Sequence, residues 1–205
     1  TVRIEQSCAP TPGQEQTLPF HVPIVLGLLD ETGHELDLSK TEVRCSMDTS
    51  LRDNNRSLLL ELREDATEIE FASFDKKPVV SFLRAFSAPV KLSYQREKEE
   101  TQFIARNDKD GFVRWDAMQT LWLAAFDDPT LEEAPCEVVQ ETAIEALKAE
   151  NAEQKLLRAN MLSIPSELYL LEQLSDIDLD RTLNQRDDLL RKLAIDNQDT
   201  WLQLY

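Results

Sequence analysis

The stretch DETGHELDL, residues 30–38, contains the His-Glu pair that begins the zinc motif H-E-x-x-H. In that motif two histidines four positions apart lie on one helix face and bind zinc, and the glutamate acts as general base. Here Leu38, which cannot bind a metal, occupies the second histidine position. The only other histidine, His21, lies upstream. The spacing therefore argues against a zinc site at His34 and Glu35.

The residues around His34 favour a turn instead. Asp30 and Gly33 are typical of tight turns, because an aspartate side chain bonds to nearby backbone and glycine accepts a positive φ. An apolar run precedes the turn, and Leu36 and Leu38 alternate with polar residues after it. We expect a β-hairpin here, with Gly33 as the residue whose backbone geometry matters.

The stretch RNDKDG, residues 106–111, resembles the start of an EF-hand calcium loop. That loop needs D-x-[DN]-x-[DN]-G, followed six residues later by a glutamate. Asp108 and Asp110 fit, but Arg106 stands at the first ligand position and Ala117 at the last. Calcium binding is therefore a poor fit. We expect Asp108 or Asp110 to cap the N-terminus of a helix.

Three further acids, Asp176, Asp178 and Asp180, stand at alternate positions and could offer oxygen ligands to a hard cation. Such a run is also typical of a solvated helix cap, which we favour. The chain has no G-x-S-x-G elbow and, with four glycines, no phosphate loop. The tryptophans occupy apolar helix positions, which indicates core packing: Trp115, Trp122 and Trp201. Composition and spacing predict no catalytic, cofactor-binding or metal-binding residue in this chain.

The elements that would position such residues change type along the chain. Up to about Tyr94, short runs of alternating apolar and polar residues are separated by turns. This pattern predicts an immunoglobulin-like β-sandwich of about seven antiparallel strands. Pro23 and Pro89 would have to lie at strand starts, edges or bulges. The stretch SAPV, residues 87–90, is interpreted as a bend between two strand segments, whose apolar residues are Val79, Val80, Phe82, Leu83, Phe86, Val90, Leu92 and Tyr94.

From Gln95 onward the apolar spacing becomes helical and predicts an all-α antiparallel helical stack or solenoid. The charged run QREKEETQ, residues 95–102, is either a bridge or a solvated helix start. Pro165 is predicted to lie early in a helix. The candidate core residues are Phe112, Trp115, Met118 or Gln119, Trp122, Phe126, Val138, Ile144, Leu147, Leu156 and Leu157. We predict two domains, residues 1–94 and 95–205.

Composition narrows the class of partner. The 205 residues include 39 acids and 22 bases, for a net charge of −17, which argues against nucleic acid and anionic membranes as partners. Most of the excess negative charge falls after residue 94, as expected of solvated helix faces. The three cysteines form no C-x-x-C pair, which predicts mostly buried free thiols in a reducing compartment, the cytoplasm. We find no signal peptide and no apolar run long enough to span a membrane.

Several segments, in order and at their spacing, resemble aminopeptidase N of the bacterial alanyl aminopeptidase type, a family of zinc metallopeptidases. They are VRIEQS, TPGQ, PFHVPIVLGLLDETG, FLRAFSAPVKLSY, ARNDKDGFVRWDA and LSIPSE. The resemblance runs along the whole chain, most strongly to about Leu121. It implies a β-sandwich followed by the first part of a superhelical domain. The family's H-E-x-x-H and G-x-M-E-N motifs belong to a catalytic domain that has no counterpart here.

This resemblance implies a non-catalytic structural fragment that links the catalytic and helical domains of an enzyme acting on peptide N-termini. It implies no catalytic, cofactor-binding or metal-binding residue in the chain. Zinc is implied only in the catalytic domain of the complete enzyme, the parent of this fragment. The chain begins without Met and directly in a strand-like pattern, as expected of a piece of a longer protein. We expect the apolar end, residues 201–205, to pack back locally or to contact another molecule. The alternatives are a free-standing acidic protein-binding module and an independent enzyme or calcium-binding protein.

Overall fold

The structure, a computed structural model, describes residues 1–10, 12–13, 17–72, 74–128, 132–147, 152–173 and 178–204. The chain divides into two compact units. The first contains residues Thr1–Ser93 together with Asp108–Val113, and the second contains Tyr94–Asn107 and Arg114–Tyr205. The segment Asp108–Val113 thus belongs to the first unit although it follows the first helix in sequence.

The described residues of the first unit form seven strands in two antiparallel sheets. The strands are β1 (Val2–Glu5), β2 (Val22–Leu29), β3 (Val43–Cys45), β4 (Thr49–Arg52), β5 (Ser57–Leu62), β6 (Ala66–Phe71) and β7 (Val79–Phe82). One sheet has the order β1-β6-β3 and the other β4-β5-β2-β7. Every pairing between neighbouring strands is antiparallel. The predicted sandwich of about seven antiparallel strands is confirmed.

The sandwich core comes mainly from alternate residues of the two central strands, β2 and β5. Leu26 and Leu28 of β2, and Leu58 and Leu60 of β5, are almost fully buried. Since side chains alternate across a strand, these residues line the inner face of their sheet, and Gly27 of β2 lies on the opposite face. Pro23 is the second residue of β2, at a point where β7 does not pair, as expected of a strand start.

One strand prediction holds only in part and another was wrong. After the turn at Gly33 the chain forms only one isolated bridge, between Leu29 and Glu35, and then a 3₁₀ turn at Leu38–Lys40. After Phe82 it forms a second 3₁₀ turn, Arg84–Phe86, in place of a bent strand. Backbone φ is positive at several residues there, a conformation that no strand adopts. As a result four apolar residues of the predicted strand are exposed: Phe86, Val90, Leu92 and Tyr94.

The described residues from Lys98 onward are mainly helical. The helices are α1 (Lys98–Asn107), α2 (Gly111–Asp127), α3 (Glu133–Leu147), α4 (Ala152–Met161), α5 (Glu167–Gln173), α6 (Leu179–Asp196) and α7 (Gln198–Leu204). The predicted succession of helices is confirmed. The charged run at residues 95–102 is a helix start from Lys98 onward. Pro165 precedes α5 by two residues, so its predicted place inside a helix was wrong.

The helical core predictions hold only in part, since Phe112 and Trp115 on α2 are half-buried and further exceptions lie on α3 and α4. Trp122 and Phe126 are buried, as are both Met118 and Gln119. On α3 the buried face contains Pro135, Val138, Val139 and Thr142 at helical spacing. Ile144 lies about 200° around the helix from Thr142 and is exposed. Leu156 is also exposed, Leu157 is half-buried, and the Leu147 side chain lies outside the described residues.

A buried arginine network as the candidate functional site

The turn at DETGHELDL has the geometry that its sequence predicts. The Asp30 carboxylate accepts hydrogen bonds from the backbone N–H of Thr32 and of His34, and from the Thr32 hydroxyl. These hydrogen bonds hold the pKa of Asp30 below its ordinary value, and the bond from the Thr32 hydroxyl has the largest effect. Gly33 has a φ of +85°, a conformation that glycine adopts without a Cβ clash. The predicted turn and the role of Gly33 are confirmed.

The two residues that suggested a zinc motif have separate environments. His34 is exposed, and its Nδ1 lies 2.6 Å from the Thr32 hydroxyl oxygen. Leu38, at the second histidine position of the motif, is buried in the sandwich core. Glu35 points to a different partner: its Oε1 accepts a hydrogen bond from Nη1 of Arg84 at 2.7 Å. Glu35 is therefore part of an ion pair.

Arg84 is the centre of a polar network inside the sandwich unit, with a side chain only 5% exposed. Its Nε donates to the Ser81 hydroxyl at 2.9 Å. Besides Glu35, its Nη1 contacts the Ser57 hydroxyl at 3.2 Å and the Arg56 carbonyl at 3.4 Å. Its Nη2 lies 3.4 Å from Oδ1 of Asp108. A buried charge needs such a set of partners, because an unpaired one carries a large desolvation cost.

The sheet makes room for this guanidinium by a row of small residues on its outer face. Gly27 of β2 pairs with Ser57 of β5 on one side and with Ser81 of β7 on the other. A Cβ at Gly27 would lie 2.6 Å from Nη1 of Arg84 and closer still to Cζ. The glycine thus provides space and the two serines provide hydroxyl groups. No residue of this row was identified from the sequence as a candidate functional residue. A glycine inside a strand often marks the close approach of another group.

Asp108 and Asp110 lie in the first unit and contact the turn that carries Arg84. The Asp108 side chain is fully buried, and its Oδ1 also accepts from the backbone N–H of Asp110 at 2.8 Å. Asp110 accepts from the backbone N–H of Val113 at 3.0 Å and therefore caps α2. The predicted cap is confirmed at Asp110. Among the described residues, no group of three or more His, Cys, Asp or Glu could hold a metal ion.

The acidic run at residues 176–180 is described only in part. Asp178 accepts from the backbone N–H of Arg181 and caps α6, as the cap interpretation predicts. Asp176 lies outside the described residues. Trp201 packs back on α6, since its indole N–H donates to the Leu193 carbonyl at 3.1 Å. The expected local packing of the apolar end is thus confirmed at Trp201.

The helical unit has its own set of ion pairs, which join helices distant in sequence. Arg114 of α2 donates to the Ala105 carbonyl at 2.8 Å and to Glu145 of α3 at 3.2 Å. The same Glu145 oxygen lies 3.2 Å from Nη2 of Arg158 on α4. Arg106 of α1 pairs with two further glutamates of α3. These contacts stabilise the packing of α1 to α4 but bring no nucleophile together with a base.

Burial explains the raised pKa values of three titratable groups in this unit. Burial raises the pKa of Asp116, and the nearby Arg96 partly opposes the shift. Burial also raises the pKa of Tyr169, with a smaller contribution from Asp116. Burial likewise raises the pKa of the Cys136 thiol, which disfavours the reactive thiolate. None of these shifts by itself indicates catalysis.

Two family models match consecutive parts of this chain. The family model described as DUF3458, a domain of unknown function with an Ig-like fold, matches residues 1–95. The model described as DUF3458_C, a domain of unknown function made of ARM repeats, matches residues 98–205. No helix among the described residues is both long and apolar enough to cross a membrane.

Three relatives of this chain are aminopeptidases. Aminopeptidase N of Escherichia coli (strain K12) is 28% identical over all of this chain and 23% of its own length. That of Haemophilus influenzae is 26% identical over 98% of this chain and 23% of its own length. Aminopeptidase N of Caulobacter vibrioides is 32% identical over 67% of this chain and 16% of its own length. The chain thus spans less than a quarter of the length of these relatives.

A solved structure supports the fold. The crystal structure of Legionella pneumophila aminopeptidase A in complex with aspartic acid matches 89% of this chain and 20% of that chain, with a TM-score of 0.67. At 20% identity the match shows the fold alone. The chain therefore belongs to the DUF3458_C family of ARM-repeat domains, and its Ig-like sandwich and helices together are related to part of aminopeptidase N.

Proposed function

We propose that this chain is a structural region of a zinc-dependent aminopeptidase whose catalytic domain lies outside these 205 residues. The enzyme would remove N-terminal residues from peptides, and zinc in that other domain would supply an activated water. The observation that supports this proposal is the similarity of the whole chain to aminopeptidase N over 23% of the relative's length. Peptides would be substrates of the complete enzyme only.

Within that enzyme, the sandwich and the helices would connect the catalytic domain to the rest of the helical domain and keep their separation constant. The partners of this chain would be the remaining domains of its parent, and neither nucleic acid nor a membrane. We place the domain boundary near residue 94, which is supported by family models that end at residue 95 and begin at residue 98. The buried Arg84 network supports a rigid role, since its ion pairs and hydroxyl contacts lock one arrangement of the sandwich.

The same proposal leaves this chain without catalytic, cofactor-binding or metal-binding residues. The described residues do not offer zinc a set of three His, Cys, Asp or Glu ligands, so the zinc would bind elsewhere in the parent. We also propose that the enzyme is cytoplasmic. The three cysteines are free thiols, which suits a reducing compartment. The prediction that they are mostly buried was wrong, since Cys8 is exposed, Cys45 is half-buried and Cys136 is buried.

The purified chain and the reading frame upstream of it both provide tests of this proposal. The purified chain should contain no stoichiometric zinc and should not hydrolyse an alanine chromogenic amide, whereas zinc or real turnover would overturn it. In the genome, the reading frame upstream of Thr1 should encode H-E-x-x-H. A protein carrying that frame should hydrolyse the amide, and replacing the motif's glutamate with glutamine should abolish the activity. A start codon just before Thr1 would instead favour a free-standing acidic binding module.

A further inference from the structure

Three consecutive residues of the turn Arg84–Phe86 contact three alternate residues of the segment Asp108–Val113. Arg84 forms its ion pair with Asp108. The backbone N–H of Ala85 donates to Oδ2 of Asp110 at 2.7 Å. The rings of Phe86 and Phe112 lie 4.9 Å apart, centroid to centroid, in a tilted arrangement. All of these residues belong to the first unit, although more than twenty residues separate the two segments.

The turn adopts a conformation that its residues do not favour by themselves. Leu83, Ala85 and Phe86 have φ values of 57°, 53° and 51°, in the left-handed region. Residues with a Cβ rarely adopt this region, because the Cβ comes too close to the following carbonyl. Such a conformation persists only where surrounding contacts impose it. The contacts that could impose it here come from Asp108, Asp110 and Phe112.

The Asp110 carboxylate accepts hydrogen bonds from two separate elements. Its Oδ1 accepts from the Val113 N–H and caps the first turn of α2, while its Oδ2 accepts from the Ala85 N–H. Each hydrogen bond restricts the same side chain, so formation of one lowers the entropic cost of the other. We propose that Asp110 couples the left-handed turn at Leu83–Phe86 to the first turn of α2, so that the two form and open together. Asp110 is therefore a positioning residue for both.

Amide hydrogen exchange of the full 205-residue chain, followed by NMR at Ala85 and Val113, tests this coupling. The perturbations are Ala85→Gly and Ala85→Val, which keep the Ala85 backbone N–H and leave the side chains of Asp110 and Val113 unchanged. Glycine removes the Cβ cost of the left-handed conformation, and valine increases it. If the elements are coupled, Ala85→Gly slows exchange at Val113 by about two- to fivefold. Ala85→Val accelerates exchange at the same amide by a similar or larger factor.

Control variants make the result specific. Ala9→Gly and Ala9→Val carry the same changes at an exposed residue of the same unit and should leave exchange at Val113 unchanged. In an Asp110→Ala background the two Ala85 substitutions should lose their effect on Val113. Equal exchange at Val113 in Ala85→Gly, Ala85→Val and the unsubstituted chain would overturn the proposal. A full effect that survives Asp110→Ala would also overturn it, because another contact would then carry the coupling.

Discussion

The substitution Gly27→Ala adds one methyl group where Arg84 lies against the sheet. Its Cβ would stand 2.5 Å from Nε and 2.6 Å from Nη1 of Arg84, far inside van der Waals contact. A guanidinium at the end of a long side chain can normally move away from such a group. Here it cannot move freely, because it is buried and contacts Glu35, Ser57, Ser81 and other groups.

The expected cost can be worked from three opposing effects. Replacing glycine with alanine where the backbone allows it stabilises by about 0.4–1 kcal/mol, through the unfolded chain. Overpacking a filled interior costs about 1–3 kcal/mol. Displacing Arg84 weakens at least one hydrogen bond to a charged group, which contributes about 1.5–3 kcal/mol. The destabilising effects exceed the stabilising one, and we expect Gly27→Ala to lower the unfolding free energy of the sandwich by about 2–4 kcal/mol.

The assay must report on the sandwich alone. All three tryptophans, Trp115, Trp122 and Trp201, belong to the helical unit, so tryptophan fluorescence during urea unfolding follows that unit. Hydrogen exchange of β2 and β5, measured by mass spectrometry at increasing urea, follows the sandwich. Gly27→Ala should shift the exchange transition of these strands to lower urea. The difference in unfolding free energy follows from that shift and the slope.

Making Gly27→Ala in an Arg84→Ala variant tests whether Arg84 is the cause of the destabilisation. Arg84→Ala alone should destabilise the sandwich by about 3–5 kcal/mol, since it leaves the buried Asp108 without its cation. With the guanidinium gone, the methyl group of Gly27→Ala has space and should cost nothing, or stabilise by about 0.4–1 kcal/mol. If Gly27→Ala costs the same in both backgrounds, the methyl group conflicts with something other than Arg84, and the reasoning is refuted.

Three further predictions concern other parts of the chain. Gly33→Val should lower the unfolding free energy of the sandwich by about 1 kcal/mol or more, because valine resists a φ of +85°; an unchanged exchange transition would contradict this. Cys8 is exposed and should react with a thiol reagent in the native chain, whereas Cys136 should react only with added urea; simultaneous labelling of both would count against their burial. Burial raises the pKa of Asp116, so stability of the helical unit should fall as pH rises through that pKa. Asp116→Asn should remove this fall and raise the urea midpoint at neutral pH by tryptophan fluorescence, and an equal fall in both proteins would refute the assignment.

The parts of the fold that follow from local chemistry were predicted from the sequence. The turn at Gly33 needs an aspartate acceptor and a residue with positive φ, and both stand within four residues of each other. The cap at Asp110 is equally local, because it joins a side chain to an N–H three residues away. The two element types were predicted because apolar spacing changes period near residue 95. Each of these signals lies within a short window of sequence.

The segment after Phe82 shows where prediction from a short stretch of sequence fails. Its apolar residues continue to alternate with small and polar ones, so it was interpreted as a bent strand. The chain instead turns through Leu83–Phe86, where contacts with Asp108, Asp110 and Phe112 impose left-handed backbone. Those partners come from a segment more than twenty residues later. No pattern within the turn itself indicates them, although the two segments were among those that carried the family resemblance.

The Arg84 network could not be predicted for the same reason, but it explains a feature of the sheet. Gly27, Ser57 and Ser81 are isolated small residues in three separate strands, and only the strand register brings them into one row. A shift of β2 by one residue would place Leu26 or Leu28 in that row and leave the guanidinium no space and fewer acceptors. A buried ion pair adds little net stability compared with apolar packing, yet misplacing one is costly. The network therefore disfavours the wrong registers of this sheet more than it stabilises the right one.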